Sequence, residues 1–101
     1  MNSGQASISA DILARYAADA ACEVEGVRGL AESPLPGRRG VRVGGEDGAV
    51  RVEVHLAVDW GASIVDLGRE VQQRVREYLL RMADVEPVAV DVVVDEIGPR
   101  R

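Results

Sequence analysis

Few residues of this sequence could carry out acid–base or nucleophilic chemistry. His55 is the only histidine and Cys22 the only cysteine. The serines fall at the amino terminus, in a predicted loop or at predicted helix starts, so none is placed to give its proton to His55. We therefore expect no catalytic residue and no enzyme activity, with His55 as a surface residue that pairs across strands. A small hydrolase or thiol enzyme remains a third hypothesis; it would need Cys22 or His55, and a lowered Cys22 pKa would be its sign.

Metal and cofactor chemistry also lack the residues they need. One histidine and one cysteine cannot form a zinc site, and one cysteine cannot form an intrachain disulfide. The acidic turn at Glu46 and Asp47 has too few ligands for a dedicated calcium loop. The chain contains no lysine, which excludes Schiff-base chemistry and a phosphate-loop lysine. The sequence therefore predicts no metal and no cofactor.

One short motif is typical of RNA-binding proteins. Gly26-Val27-Arg28-Gly29 matches the G-x-x-G loop that clamps the nucleic-acid backbone in KH domains. The formal net charge of −5 opposes nucleic-acid binding, and Gly26 is also explained as the residue that ends a helix. A KH-like RNA-binding module is therefore the alternative function. We favour a protein partner over RNA, and we expect no DNA binding.

The composition and the ends of the chain predict a cytoplasmic location. Residues 1–10 lack the basic flank and the apolar run of a signal peptide. No apolar stretch approaches the ~20 residues of a membrane span. We expect no direct membrane insertion, so that any position at the membrane depends on a partner.

Hydrophobic periodicity predicts five elements that position these residues. Helices are expected over residues 8–24 and 64–82, with Ser9 and Ser63 as their N-caps, and Gly68 suggests a close crossing of the second helix over the sheet. Strands are expected over 41–43, 50–59 and 88–95. The resulting fold is an α/β (α+β) two-layer sandwich of order α-β-β-α-β, in which two helices cover one face of a three-stranded mixed sheet. Residues 1–101 form one domain, with 1–7 and 98–101 as flexible tails and 31–40 as a loop.

The second face of this predicted sheet is uncovered and only half polar. It offers an interaction site centred on Arg51, Glu53, His55, Asp91 and Val93, next to a free strand edge that could pair with another chain. The alternative contact is the exposed side of the second helix around Arg69, Gln73 and Arg76.

Three stretches, whose order and spacing cover residues 8–97, resemble a known family. They are Ile12-Leu13-Ala14-Arg15-Tyr16-Ala17 with Val24-Glu25-Gly26-Val27; the strand from Val52 into Trp60-Gly61-Ala62-Ser63-Ile64 and Glu70-Val71-Gln72-Gln73-Arg74-Val75; and Val88 to Val94. The chain resembles the alkaline shock protein family, the envelope stress response proteins of Gram-positive bacteria. It departs from the family pattern at Ser63 and Asp91, where the family favours asparagine, and is similar to its divergent members.

The resemblance carries expectations about function and partners. It implies a non-enzymatic scaffold in cell-envelope stress response or homeostasis, without catalytic residues. It implies self-association, or association with family paralogues, and a small membrane-anchored protein that holds the chain peripherally at the cytoplasmic membrane.

Overall fold

The computed structural model describes residues 8–31 and 40–98, which form two helices and four strands. In chain order these are α1 (Ala10–Cys22), β1 (Val27–Leu30), β2 (Val41–Gly44), β3 (Arg51–Asp59), α2 (Ile64–Ala83) and β4 (Ala89–Gly98). The predicted α+β class is confirmed. The predicted order α-β-β-α-β is wrong by one strand, because β1 follows α1. The predicted tail 1–7, residues 99–101 of the predicted tail 98–101 and the loop residues 32–39 lie outside the described residues. Gly98, the first residue of that predicted tail, is instead the last residue of β4.

The strand that the sequence did not predict completes one edge of the sheet. β1 is four residues long and holds Gly29, so the pattern between Gly26 and the following loop gives no alternation to detect. It pairs antiparallel with residues 56–58 of β3, while β2 pairs antiparallel with residues 51–54. β1 and β2 therefore lie end to end along one edge of β3. β4 runs parallel to β3 along the other edge, which makes the sheet mixed, as predicted.

His55 marks the junction between the two short strands. Its backbone N–H donates to the carbonyl of Gly40 at 2.6 Å, and its carbonyl accepts from the N–H of Ala31 at 2.9 Å. Ala31 and Gly40 are thus both bonded to one residue at the centre of the sheet.

Serine side chains cap both helices, as predicted. The Ser9 hydroxyl accepts from the N–H of Ile12 at 3.2 Å, and the Ser63 hydroxyl accepts from the N–H of Asp66 at 3.4 Å. Asp84 ends α2 in the left-handed conformation, with φ of 55°. These local signals determine where both helices begin and where α2 ends; α1 ends at Cys22, with Glu23 as its C-cap, before the predicted Gly26.

An aliphatic core joins both helices to one face of the sheet. Alternate residues of β3 are fully buried there, namely Val52, Val54, Leu56 and Val58. The helices contribute the buried residues Leu13, Ala17, Ala20, Ala21, Leu67, Val71, Val75 and Leu79. α1 packs over β1 and β2 and α2 over β4, so the prediction that the helices share one face is confirmed.

One expectation about the second helix is wrong. Gly68 does not mark a close crossing, since a Cβ built there meets no atom within 4 Å.

Candidate interaction surface

The sheet face opposite the helices is a surface of charged and small residues, which we call the open face. No element within residues 8–31 and 40–98 packs against it. Strand pairing arranges it in rows that join β3 to β4, and some of these rows extend to β1 or β2. The rows are Gly44–Arg51–Ala89, Arg42–Glu53–Asp91, His55–Val93, Gly29–Ala57–Glu96 and Asp59–Gly98.

The row through Glu53 combines opposite and like charges. Arg42 is the direct antiparallel neighbour of Glu53, a favourable cross-strand pair. Asp91 lies beside Glu53 on the parallel side, where two carboxylates repel each other. The centre of the open face therefore gathers acidic groups that need a cation nearby.

His55 supplies that cation from the next row. Its Nδ1 lies 2.7 Å from Oδ2 of Asp95, and its Nε2 contacts the Glu53 carboxylate even more closely. The side chain is 27% exposed, so the pair is partly shielded from water. Hydrogen bonds to Glu53 and then to Asp95 raise the pKa of His55 above 6.5, against a smaller lowering by burial. The imidazolium thus joins two carboxylates on different strands.

A β-bulge places Asp95 in this contact. The register between β3 and β4 shifts after Leu56 and Val94, so Asp95 is an extra residue without a direct partner in β3. A bulge bends the strand and redirects the side chain of the inserted residue. Here it brings the Asp95 carboxylate to His55.

A second charged contact crosses the end of the open face. The Arg28 guanidinium lies 3.8 Å from Oδ1 of Asp59. A Cβ at Gly98 would collide with the same guanidinium, so Arg28 reaches from β1 over β3 to β4. Gly98 is buried beneath it.

All five residues of the predicted interaction site lie on the open face. Arg51 and Asp91 are exposed, Glu53 and His55 are half-buried, and Val93 is an apolar side chain that is 37% exposed. The prediction omitted two residues that organise the face, Asp95 and Arg28. The adjacent acids Asp95 and Glu96 interrupt the alternation of β4 and were the available sign of the bulge.

The other candidates for chemistry lie elsewhere. Cys22 is exposed, and partial burial followed by the charge of Asp19 raises its pKa, the opposite of what an activated thiolate requires. Within the described ranges no three His, Cys, Asp or Glu side chains converge as metal ligands. Neither α1 nor α2 has the length and apolar content needed to cross a bilayer.

The G-x-x-G segment does not form a KH-type loop. Gly26 has φ of 99° and follows α1, whereas Gly29 lies within β1 and pairs with Ala57. Arg28 is directed to Asp59. The segment thus joins a helix to a strand, whereas the KH loop joins two helices.

The alternative contact on α2 is also exposed. Arg69 and Gln73 lie on its outward side, while Arg76 turns back and donates to the carbonyl of Pro87 at 2.9 Å. The neighbouring Gln72 donates to the carbonyl of Val90 at 3.0 Å. Gln72 thus bonds α2 to β4, and Arg76 bonds it to the residues just before β4.

Solved structures share this fold at low sequence identity. A MamM-CTD variant superposes with a TM-score of 0.58 at 15% identity, over 92% of this chain and 100% of that one. A cadmium form of MamM-CTD gives 0.58 at 16% identity, over 87% and 98% of the two chains. A nickel form gives 0.56 at 15% identity, over 90% and 99%. This similarity is one of fold.

The family comparison covers nearly the whole sequence. No curated protein matches the chain. A family model described as having a cell envelope-related function matches residues 1–99. The resemblance inferred from the three sequence stretches is thereby confirmed: the chain belongs to the alkaline shock protein 23 family, whose function is related to the cell envelope.

Proposed function

We propose that this chain is a non-enzymatic protein-interaction domain in cell-envelope stress response or homeostasis. It acts by self-association and by binding a small membrane-anchored protein, which holds it peripherally at the cytoplasmic side of the membrane. The observation that carries the proposal is the open face, a sheet surface with no covering element among the described residues. The family's envelope-related function supports the proposal, and so do the expectations that follow from the sequence resemblance.

The shape of the open face suits a flat protein contact. It carries the small residues Gly29, Gly44, Ala57 and Ala89, which let a partner backbone approach closely. Val93 offers an apolar anchor near the middle, next to His55. This apolar side chain can be buried by a partner, while the charged rows around it provide orientation and selectivity.

The side chains on this face support binding over catalysis. Both ring nitrogens of His55 contact carboxylates, so neither is directed at a serine or cysteine nucleophile. The raised pKa of Cys22 leaves it mostly protonated at neutral pH. These observations favour a scaffold over the hydrolase or thiol-enzyme hypothesis.

Crosslinking in native cells tests the proposal. Tagged wild-type protein would be captured from detergent-solubilised, crosslinked cells and its partners identified by mass spectrometry. We expect untagged copies and a small membrane protein to be recovered. The double variant Glu53→Arg with Val93→Asp should lose both, whereas the matched control Arg69→Glu with Gln73→Asp on α2 should retain them.

Two results would contradict the proposal. Equal recovery with the open-face and wild-type proteins, together with loss in the α2 control, would move the contact to the helix. Recovery of ribosomal proteins and RNA that nuclease removes would instead favour the KH-like alternative.

A further inference from the structure

His55 is the titratable centre of the open face. It is the only histidine of the chain. One ring nitrogen contacts the carboxylate of Glu53 in its own strand β3, and the other contacts the carboxylate of Asp95 in β4. Asp95 reaches it only because of the β-bulge in β4. Such a bulge re-aims a side chain at a cost in ladder hydrogen bonds, which suggests a role for the contact beyond strand pairing.

The groups around His55 come from every strand of the sheet. β3 contributes Glu53 and, further along, Arg51 and Asp59. β4 contributes Asp91, Val93 and Asp95. β2 contributes Arg42 beside Glu53, and β1 contributes Arg28, which is held at Asp59.

The two protonation states of His55 give this face two different arrangements. The imidazolium has two N–H donors and satisfies Glu53 and Asp95 together. The neutral ring has one N–H donor, so one of the two carboxylates then faces a nitrogen lone pair and is repelled. Deprotonation therefore breaks one of the two carboxylate contacts and leaves the open face one charge more acidic.

We propose that His55 is a pH switch for self-association through the open face: protonated His55 permits two copies to meet there, and neutral His55 separates them. This inference rests on the proposed function, and it adds the condition under which that contact forms. Two identical acidic faces repel each other, and each proton lost from His55 adds to that repulsion on both copies.

The direction of the effect follows from linkage. The Glu53 and Asp95 hydrogen bonds raise the pKa of His55 in the folded chain, which places the transition above 6.5. Self-association should be strongest below the transition and weaken as the pH rises through it. If association shifts the His55 pKa by one unit, the dissociation constant rises about tenfold per His55 as the pH rises through the transition.

Two measurements on the full chain test the switch. Because the chain has one histidine, NMR of the imidazole resonances gives its pKa without ambiguity. Sedimentation equilibrium gives the self-association constant over the same pH range. We expect both curves to share one midpoint, and we expect His55→Gln to make association independent of pH over that range.

A second variant separates the switch from loss of the fold or of the interface. Asp95→Asn should lower both midpoints together, because one carboxylate no longer stabilises the imidazolium. Association that stays constant while His55 titrates would overturn the switch and leave the proposed function standing. Absence of self-association at every pH would overturn the switch along with the self-association part of the proposed function.

Discussion

The Arg28 guanidinium occupies the space where a Cβ of residue 98 would lie. Arg28 belongs to β1 and Gly98 to β4, so one side chain spans the width of the sheet above Asp59. The long arginine side chain covers backbone that no helix protects on this face. The contact between Arg28 and Asp59 lies at the end of the open face formed by the row Asp59–Gly98.

The substitution Gly98→Ala should displace Arg28 from Asp59. The ion pair is 45% exposed on both sides, and exposed pairs contribute about 0–1 kcal/mol, so we expect a small loss of unfolding free energy of that order. Urea unfolding followed by circular dichroism measures it. In an Arg28→Ala background the same glycine substitution should cost nothing further, and an unchanged cost there would show that the steric contact is unimportant.

Two adjacent leucines should differ sharply in their contribution to stability. Leu79 is fully buried between α2 and the sheet, whereas Leu80 is 49% exposed. We expect Leu79→Ala to lower the unfolding free energy by about 2–5 kcal/mol, through lost burial and a cavity. Leu80→Ala should change it by about 0.5 kcal/mol or less. Similar losses in both variants, measured by urea unfolding, would contradict the burial pattern of α2.

Replacement of Gly68 by alanine should stabilise the chain. A Cβ there meets no atom within 4 Å, and glycine in a helix interior costs about 1 kcal/mol relative to alanine. Thermal unfolding should therefore show a higher Tm for Gly68→Ala. Gly45→Ala is the opposing control, since φ is 140° and a Cβ there would collide with the Ala49 carbonyl. A lower Tm for Gly68→Ala would show a close crossing after all.

His55 should make stability depend on pH in one direction. Its pKa is raised in the folded chain, so its contribution is fully present below about pH 6.5, the unfolded value, and is lost as pH rises through the folded value. The difference in unfolding free energy between wild type and His55→Gln should shrink over that interval. Urea titrations at concentrations that keep the chain monomeric measure it; a difference that grows with pH would contradict the assigned contacts.

The sequence predicts those parts of the fold that local physics determines. Strict alternation in β3, the serine caps at Ser9 and Ser63 and the periodic stripe of α2 all appear as expected. The sequence did not predict β1, because its partners in β3 are about thirty residues away and its own four residues carry no periodic signal. Tertiary pairing, which a local pattern does not contain, forms this strand.

The candidate site was predictable as a face but not as a set of contacts. Alternation alone places Glu53, His55 and Val93 on the side away from the helices. The contact between His55 and Asp95 depends on the bulge, and the reach of Arg28 depends on β1 lying beside β3. Both require knowledge of register between strands, which one sequence does not supply.

Sedimentation equilibrium near pH 6 measures self-association through the open face. We expect wild type and the α2 control Arg69→Glu with Gln73→Asp to form the same oligomer. The Glu53→Arg and Val93→Asp double variant should be a folded monomer with an unchanged circular dichroism spectrum. An oligomer that persists in the folded double variant, or a wild type that is monomeric at every concentration, would contradict self-association through the open face.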